Sequence, residues 1–183
     1  MSMSTNEIVV IAVVAVLTFW MLGAYNRLVR LRHTISTAFS AIDAQFKQRH
    51  ELISGLIDSA LALGADATDD AASLDAARRQ ARVAAERVAQ RPANAGRVAS
   101  LALAEQVLRG ALASVVAPLQ AHASLPGSTR VGELLDELTT TQHRLAAASE
   151  AFNASALDYN RSIEQFPTRL IAGLFGFRVA GTL

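Results

Sequence analysis

Apolar residues follow two different patterns along this chain. From Ile8 to Ala24, seventeen consecutive residues carry neither a charge nor a proline. Farther on, apolar side chains recur at every seventh position, from Leu28 to Leu63 with Arg49 in one slot, and again from Val131 to Phe166. An unbroken apolar run is typical of a membrane-spanning helix, and a repeat of seven is typical of helices packed as in a coiled coil.

These patterns predict an all-α chain in which an N-terminal transmembrane helix continues into a long antiparallel four-helix bundle. No proline occurs before Pro92, so the first helix is expected to be on the order of 85 Å long. Breaks are expected at 64–70 and 124–128, which are rich in Gly, Asp, Ser and Pro. The first predicted helix covers about residues 6–63, and the second follows a cap at Asp66 or Thr68 and runs to about Gln90. The third runs from about 94 to a kink or end at Pro118, and the fourth covers about 130–165. Short connections favour up-down-up-down packing, with the last helix beside the first.

The flanks of the apolar run predict its orientation. Trp20 and Tyr25 lie at its C-terminal end, where aromatic rings favour the lipid–water interface, and Arg27, Arg30 and Arg32 follow directly. No Lys or Arg precedes the run, so the positive-inside rule places the N-terminus outside and the remainder in the cytoplasm, at the inner membrane. A cleaved signal peptide would need a basic start and a small-x-small site, and a soluble buried helix is the other alternative. The expected parts are 1–7 outside, 8–25 in the membrane, 26–166 as the bundle and 167–183 as an apolar tail.

Composition removes several kinds of chemistry. There is no cysteine, which excludes disulfides, thiol catalysis and cysteine-ligated metals, and the net charge of +1 gives no indication of nucleic-acid binding. Alanine accounts for 36 of 183 residues, in keeping with a helical chain. The four histidines form neither HExxH nor Glu-x-x-His, and we expect them on the surface: His33, His50, His122 and His143. No phosphate loop or nucleophile elbow occurs, so we expect no enzyme, metal or cofactor.

The end of the bundle nearest the membrane is where we expect contacts. The second and third helices are short, so Phe39, Ile42 and Phe152 are expected to be partly uncovered and to support self-association. The further assembly candidates are Tyr25, Asn26, Arg49, Tyr159, Asn160 and Phe166. The expected membrane-interface residues are Trp20, Tyr25, Arg27, Arg30, Arg32, Leu170, Ile171, Leu174, Phe175 and Phe177.

Three of these groups leave alternatives open. Arg49 either forms a polar layer that fixes register or extends to solvent along its stem, and the second is favoured. The Tyr-Asn pairs at 25–26 and 159–160 form either a recognition surface or ordinary packing, with packing favoured. The tail from Leu170 to Phe177 docks either on lipid or a neighbouring subunit, which is favoured, or under its own bundle.

Several segments resemble the LemA family of bacterial membrane-anchored helical proteins. Residues 25–32, YNRLVRLR, are similar to the family's YN-x-LV-x-LR, and residues 41–53 resemble its IDVQLKRRxDLI segment. Residues 166–177 match its FP-x-x-LIA-x-LFGF signature, and Phe152-Asn153 and Tyr159-Asn160 match its aromatic-Asn steps. The chain departs from the family at Ser54-Gly55, at 64–70, and at 141–143.

The resemblance implies a helical bundle behind one anchor, without an established enzymatic activity. Together with the patterns above, it predicts a non-enzymatic membrane-anchored scaffold or adaptor that self-associates and organises protein partners or local membrane. A regulatory relay acting through bundle rearrangement is the alternative. The expected partners are membrane lipid, further copies of the chain and proteins that the sequence does not identify.

Overall fold

A computed structural model describes residues 5–62, 68–123 and 129–183, and in these ranges the chain forms five helices and no strand. Their bounds are α1 Thr5–Ala62, α2 Thr68–Gln90, α3 Ala95–Ala123, α4 Thr129–Glu164 and α5 Thr168–Leu174. The expected all-α architecture is therefore confirmed. The predicted breaks at 64–70 and 124–128 and the segment 1–7 fall largely outside the described residues.

Two helix boundaries differ from the sequence prediction. Helix α3 does not end at Pro118 but continues to Ala123. Pro118 is exposed, so the carbonyl that its ring leaves unpaired is on the solvent side of the helix, where water can satisfy it. The tail also contains a further helix, α5, which begins directly after Pro167 and which the sequence analysis did not predict.

The helices pack as a bundle in which α1 lies along α4 and α2 lies along α3. The ring of Phe39 meets that of Phe152 with centroids 5.8 Å apart, and Gly55, farther along α1, lies against Leu134, earlier in α4. The order of these contacts makes α1 and α4 antiparallel. Helices α3 and α4 pack much more loosely against each other, so one edge of the bundle stays open.

Two hydrophobic clusters fill the interior. The distal core lies toward the end of α1 and includes Ile53, Leu56, Leu74, Leu108, Leu119 and Leu138. The proximal core lies nearer the apolar run and includes Leu28, Ile35, Phe39, Val98, Phe152, Ala156 and Tyr159. Residues after α4 also belong to the proximal core, namely Ala172 and Ala180, with Phe177 and Leu183 packed against it. The C-terminal residues therefore take the place that α2 and α3 do not fill.

The first third of α1 is exposed. From Ile8 to Leu22 every side chain is exposed except the half-buried Met21, and Phe19 reaches 76% exposure. The first buried residue of α1 is Ala24, and buried residues recur along the rest of the helix. Two described helices are long and apolar enough to cross a membrane, Asn6–Ala62 and Ala95–Ala121, and the second is more buried within the protein than the first.

Candidate functional site

A layer of polar side chains separates the two cores. On α1, the proximal core ends at Phe46 and the distal core begins at Leu52, with Arg49 and His50 between them. Arg49 donates from Nη2 to Oε1 of Glu105 on α3 at 2.6 Å, and both side chains are largely buried. The guanidinium carbon of Arg49 also lies 5.0 Å from the ring centre of Phe46. Of the two expected arrangements for Arg49, the structure shows the polar layer, and the favoured solvent-directed arrangement is wrong.

The partner of Arg49 explains this outcome. Glu105 occupies the slot between Val98 and Leu112 in the sevenfold repeat of α3, as Arg49 does between Ile42 and Leu56 in α1. Each charge interrupts an otherwise apolar stripe, and the two interruptions meet at the same level. Because a buried charge is costly unless it is paired, each residue accounts for the presence of the other. In the sequence, a charge in an apolar heptad slot marks each of the two residues, but their pairing depends on how α1 and α3 align.

His50 belongs to the same layer and corrects a second expectation. It is only 6% exposed, it stacks on Phe46 with ring centres 6.5 Å apart, and neither ring nitrogen has a hydrogen-bond partner in the described structure. Burial, followed by the positive charges of Arg49, Arg78 and Arg82, lowers its pKa from 6.5 to about 4, while Asp43 acts in the opposite direction. His50 is therefore a neutral, buried histidine and not a surface residue.

The other histidines do not build a site with it. His33 and His143 are exposed, and the side chain of His122 lies outside the described part of the chain. Within the residues that the structure describes, no three His, Asp or Glu side chains are grouped so that they could hold a metal ion. The buried oxygens of Gln45 and Thr141 also lack hydrogen-bond partners there.

An open cavity of about 590 Å³ lies beside the polar layer, along the loose α3–α4 edge. We call this cavity and the edge that continues it toward the start of α3 the α3–α4 groove. Arg49 and Glu105 line the cavity together with apolar side chains including Phe46, Leu108 and Leu145, and Leu183 lines one end. The cavity holds one ion pair and otherwise mainly apolar walls, which suits binding more than catalysis.

The C-terminal segment, residues 177–183, reaches this groove along α4. The side-chain amide of Asn160 donates to the Ala180 carbonyl at 2.9 Å and accepts from the Ala180 amide at 2.7 Å. Asn153 makes the same two bonds with Leu183, each at 2.8 Å. We call these two residues the Asn clamp. The two asparagines are seven residues apart on α4, so they lie on one face of the helix, and this spacing is the sequence signal for the clamp.

The clamp places residues 177–183 on their own bundle, whereas Leu170, Leu174 and Phe175 stay exposed. Docking of the 170–177 tail on lipid or a neighbouring subunit therefore stays a prediction. Packing under its own bundle is the less favoured alternative for the tail, and the segment that follows the tail does pack on its own bundle. The backbone groups of Ala180 and Leu183 are satisfied by amide side chains, and the apolar side chains of the segment complete the proximal core. Ile171, expected at the membrane interface, is 5% exposed and belongs to the protein interior.

Four assembly candidates are likewise interior residues. Phe39, Ile42 and Phe152 are at most 1% exposed, so they are not uncovered as expected. Tyr159 is 1% exposed, in agreement with the favoured packing of its Tyr-Asn pair. The C-terminal segment and the start of α3 cover the positions that α2 leaves open. Burial also raises the pKa of the Tyr159 hydroxyl. Asn160 acts in the Asn clamp, whereas Asn26 is exposed and Phe166 is 82% exposed.

The remaining interface candidates gather at the foot of the bundle. Tyr25 lies 5.0 Å from the ring of Phe175 and 5.7 Å from that of Phe177, which holds the end of α5 against α1. Leu170, Leu174 and Phe175 are 63%, 72% and 50% exposed. Exposed side chains in the same region also include Trp20, Arg27, Arg30, Arg32, Arg169 and Arg178. Contact between these residues and lipid stays a prediction.

Comparison with known proteins agrees with the sequence motifs. The LemA family matches residues 38–182, which is most of the chain. A search of curated proteins finds no match. The family and the exposed apolar helix near the N-terminus both indicate association with a membrane. The aromatic-Asn steps noted in the sequence are now seen to supply the Asn clamp, and the chain belongs to the LemA family.

Proposed function

We propose that this protein is a non-enzymatic scaffold, anchored by a single span in the inner membrane, whose four-helix bundle self-associates at the cytoplasmic face. The observation that supports this most directly is the foot of the bundle. There one continuous helix passes from an exposed apolar run into the packed interior, and α5 presents apolar side chains at the level where that run ends.

The foot fits a bilayer surface in both shape and charge. Helix α5 packs Ile171 and Ala172 against the bundle and leaves Leu170 and Leu174 exposed, so it presents an apolar face that lipid could cover. Five exposed arginines surround it, and each contributes about 1 kcal/mol of attraction to an anionic leaflet. They are Arg27, Arg30, Arg32, Arg169 and Arg178.

The chain's lack of cysteine makes this proposal directly testable. A single Leu174→Cys variant of the full-length protein, labelled with an environment-sensitive dye, is placed in nanodiscs of anionic or neutral lipid. We expect a blue-shifted emission that is stronger in anionic lipid. Thr139→Cys, on the exposed surface of α4, is the matched control and should report water in both lipids. A water-like emission at position 174 in both lipids would contradict the second membrane contact.

Cysteine labelling in cells tests the orientation of the protein in the membrane. Arg144→Cys, also exposed on α4, should react with a membrane-impermeant maleimide only after the inner membrane is permeabilised. Labelling in cells with an intact inner membrane would reverse the proposed topology. Light scattering of the full-length protein in detergent measures self-association, and a monomer at all concentrations would contradict it.

The relay alternative has one observation in its favour. The polar layer and the cavity leave the α3–α4 edge less well packed than the others, which would allow a second arrangement of these helices. Spin labels at Arg109 and Glu150, on opposite walls of the cavity, would give two distance populations for a relay. A single narrow distance favours the rigid scaffold.

A further inference from the structure

The α3–α4 groove recognises the C-terminal segment through its backbone. The Asn clamp bonds to the amide and carbonyl groups of Ala180 and Leu183, not to their side chains. The seven residues between Asn153 and Asn160 rise ~10.5 Å in a helix, and three residues of extended chain cover ~10 Å. An asparagine pair at this spacing therefore matches an extended peptide that runs antiparallel to the helix, as backbone recognition at a sheet edge does.

The Asn clamp does not distinguish between side chains, but the contacts of Gly181 restrict which peptides fit the groove. A Cβ atom added at Gly181 would lie 2.9 Å from the Cα of Ala95 and 3.0 Å from the Cβ of Val98. Backbone and a short branched side chain cannot move away easily, so only glycine fits between the segment and the start of α3. Ala180, directly before it, is 6% exposed. The groove thus selects an extended peptide with a small residue, then glycine, then an aliphatic residue two positions farther on.

We propose that the α3–α4 groove also binds the C-terminal segment of a second copy of this chain, by exchange of residues 177–183 between neighbours. This inference rests on the proposed self-association and names the surface that carries it. The Asn clamp and the Gly181 contact lie between the segment and the groove, so these contacts form whether the segment comes from the same copy or from another.

The structure provides a hinge and sufficient reach. Gly176, directly before the segment, has φ of +69°, a conformation that glycine adopts at little cost, and the amide of Phe177 returns to the carbonyl of Ala172. From Gly176 to Ala180 the extended chain spans ~13 Å, about one helix diameter, so the neighbour's groove must lie directly against this one. Opening this turn would carry the segment to an adjacent bundle.

Anchoring in one bilayer favours the exchange over release into solvent. Copies related by an axis along the membrane normal hold their grooves and their segments at the same height. Exchange replaces the clamp contacts by identical ones and gives up the turn bond between Phe177 and Ala172. The remaining cost is that of bringing two copies together, which is low for proteins confined to a membrane.

Crosslinking between two distinguishable full-length copies tests the exchange. One tagged copy carries Ser149→Cys and a differently tagged copy carries Leu183→Cys, since both residues line the same cavity. After co-expression in one membrane and treatment with a short bis-maleimide, we expect a product that contains both tags. Adding Gly181→Val to the second copy should reduce that product roughly tenfold or more, because valine overfills the contact with Ala95.

The controls separate the exchange from self-association in general. Gly173→Ala, where an added Cβ meets no atom within 4 Å, should leave the product unchanged. Asn160→Ala in the groove copy should reduce it, and circular dichroism verifies that helical content is retained in each variant. Oligomers in light scattering without the mixed product, or a product that persists with Gly181→Val, would overturn the exchange but leave the scaffold proposal intact. A monomeric protein without the product would overturn both.

Discussion

The two halves of the bundle reach the same degree of burial by different means. The distal core is formed by regularly spaced aliphatic and alanine side chains from four helices, and nothing but helix periodicity is needed to build it. The proximal core contains the larger aromatic residues Phe39, Phe152 and Tyr159, and it is completed by residues that follow α4. Helices α1 and α4 are longer than α2 and α3, so part of their buried face needs another cover. An extended peptide can provide it, provided that the peptide's backbone groups find polar partners.

The border between the halves is expected to respond most strongly to mutation. Glu105→Leu leaves the Arg49 guanidinium buried without its partner, which should lower the free energy of unfolding by about 3–5 kcal/mol. The double variant Arg49→Met with Glu105→Leu joins the two cores with apolar side chains and should restore most of that loss. Denaturation of the full-length protein in detergent, followed by circular dichroism, measures both. Equal losses in the single and double variants would mean that the ion pair is not a coupled unit.

The Asn clamp should be the next most sensitive position, and only the proximal half should respond. Asn160→Ala removes two hydrogen bonds and leaves the amide and carbonyl of Ala180 without partners, at a cost of about 2–3 kcal/mol. Amide hydrogen exchange should accelerate in residues 177–183 and in the proximal core while the distal core keeps its protection. Gln142, exposed on α4 and outside the clamp, gives a matched control as Gln142→Ala. Uniform loss of protection in both halves would show that they unfold as one unit.

Acidification should destabilise the bundle through His50. The folded-state pKa of about 4 lies below the ordinary 6.5, so between these values the unfolded chain binds a proton that the folded chain does not. The contribution of His50 to stability is thus fully present above about pH 7 and is lost as the pH falls from 6.5 toward 4. From pH 7 to pH 5 the loss should be about 2 kcal/mol.

Two substitutions separate the effect of His50 on the pH dependence of stability from the effect of the Asp and Glu side chains. His50→Gln cannot titrate and should reduce the difference in unfolding free energy between pH 7 and pH 5 by that amount. His143→Asn, at an exposed position, should leave the difference unchanged. If wild type and His50→Gln show the same pH dependence, His50 is not held neutral in the folded protein.

The sequence predicts the packing of the distal half of the bundle better than that of the proximal half, for a physical reason. Periodicity reports which residues of a helix face an interior, so it identified the long helices and nearly all of their buried positions, Leu28 and Leu56 among them. It does not report what covers them. The C-terminal segment has no period because it is extended, and its position depends on two asparagines and Gly181, distant in sequence. Arg49 and Glu105 were visible only as separate exceptions, because their pairing depends on how α1 and α3 align.

The smallest expected effects concern glycines in the helices of the distal half. Gly110→Ala should raise the free energy of unfolding by about 0.5–1 kcal/mol, because an added Cβ meets no atom within 4 Å and alanine is the better helix former. At Gly55 the same gain is opposed, since the new Cβ would lie 3.3 Å from both methyl carbons of Leu134. The Leu134 side chain can rotate slightly, so Gly55→Ala should be nearly neutral. Denaturation of the two variants side by side measures the difference, and a larger stabilisation at Gly55 than at Gly110 would mean that the distal core is packed less tightly than its contacts indicate.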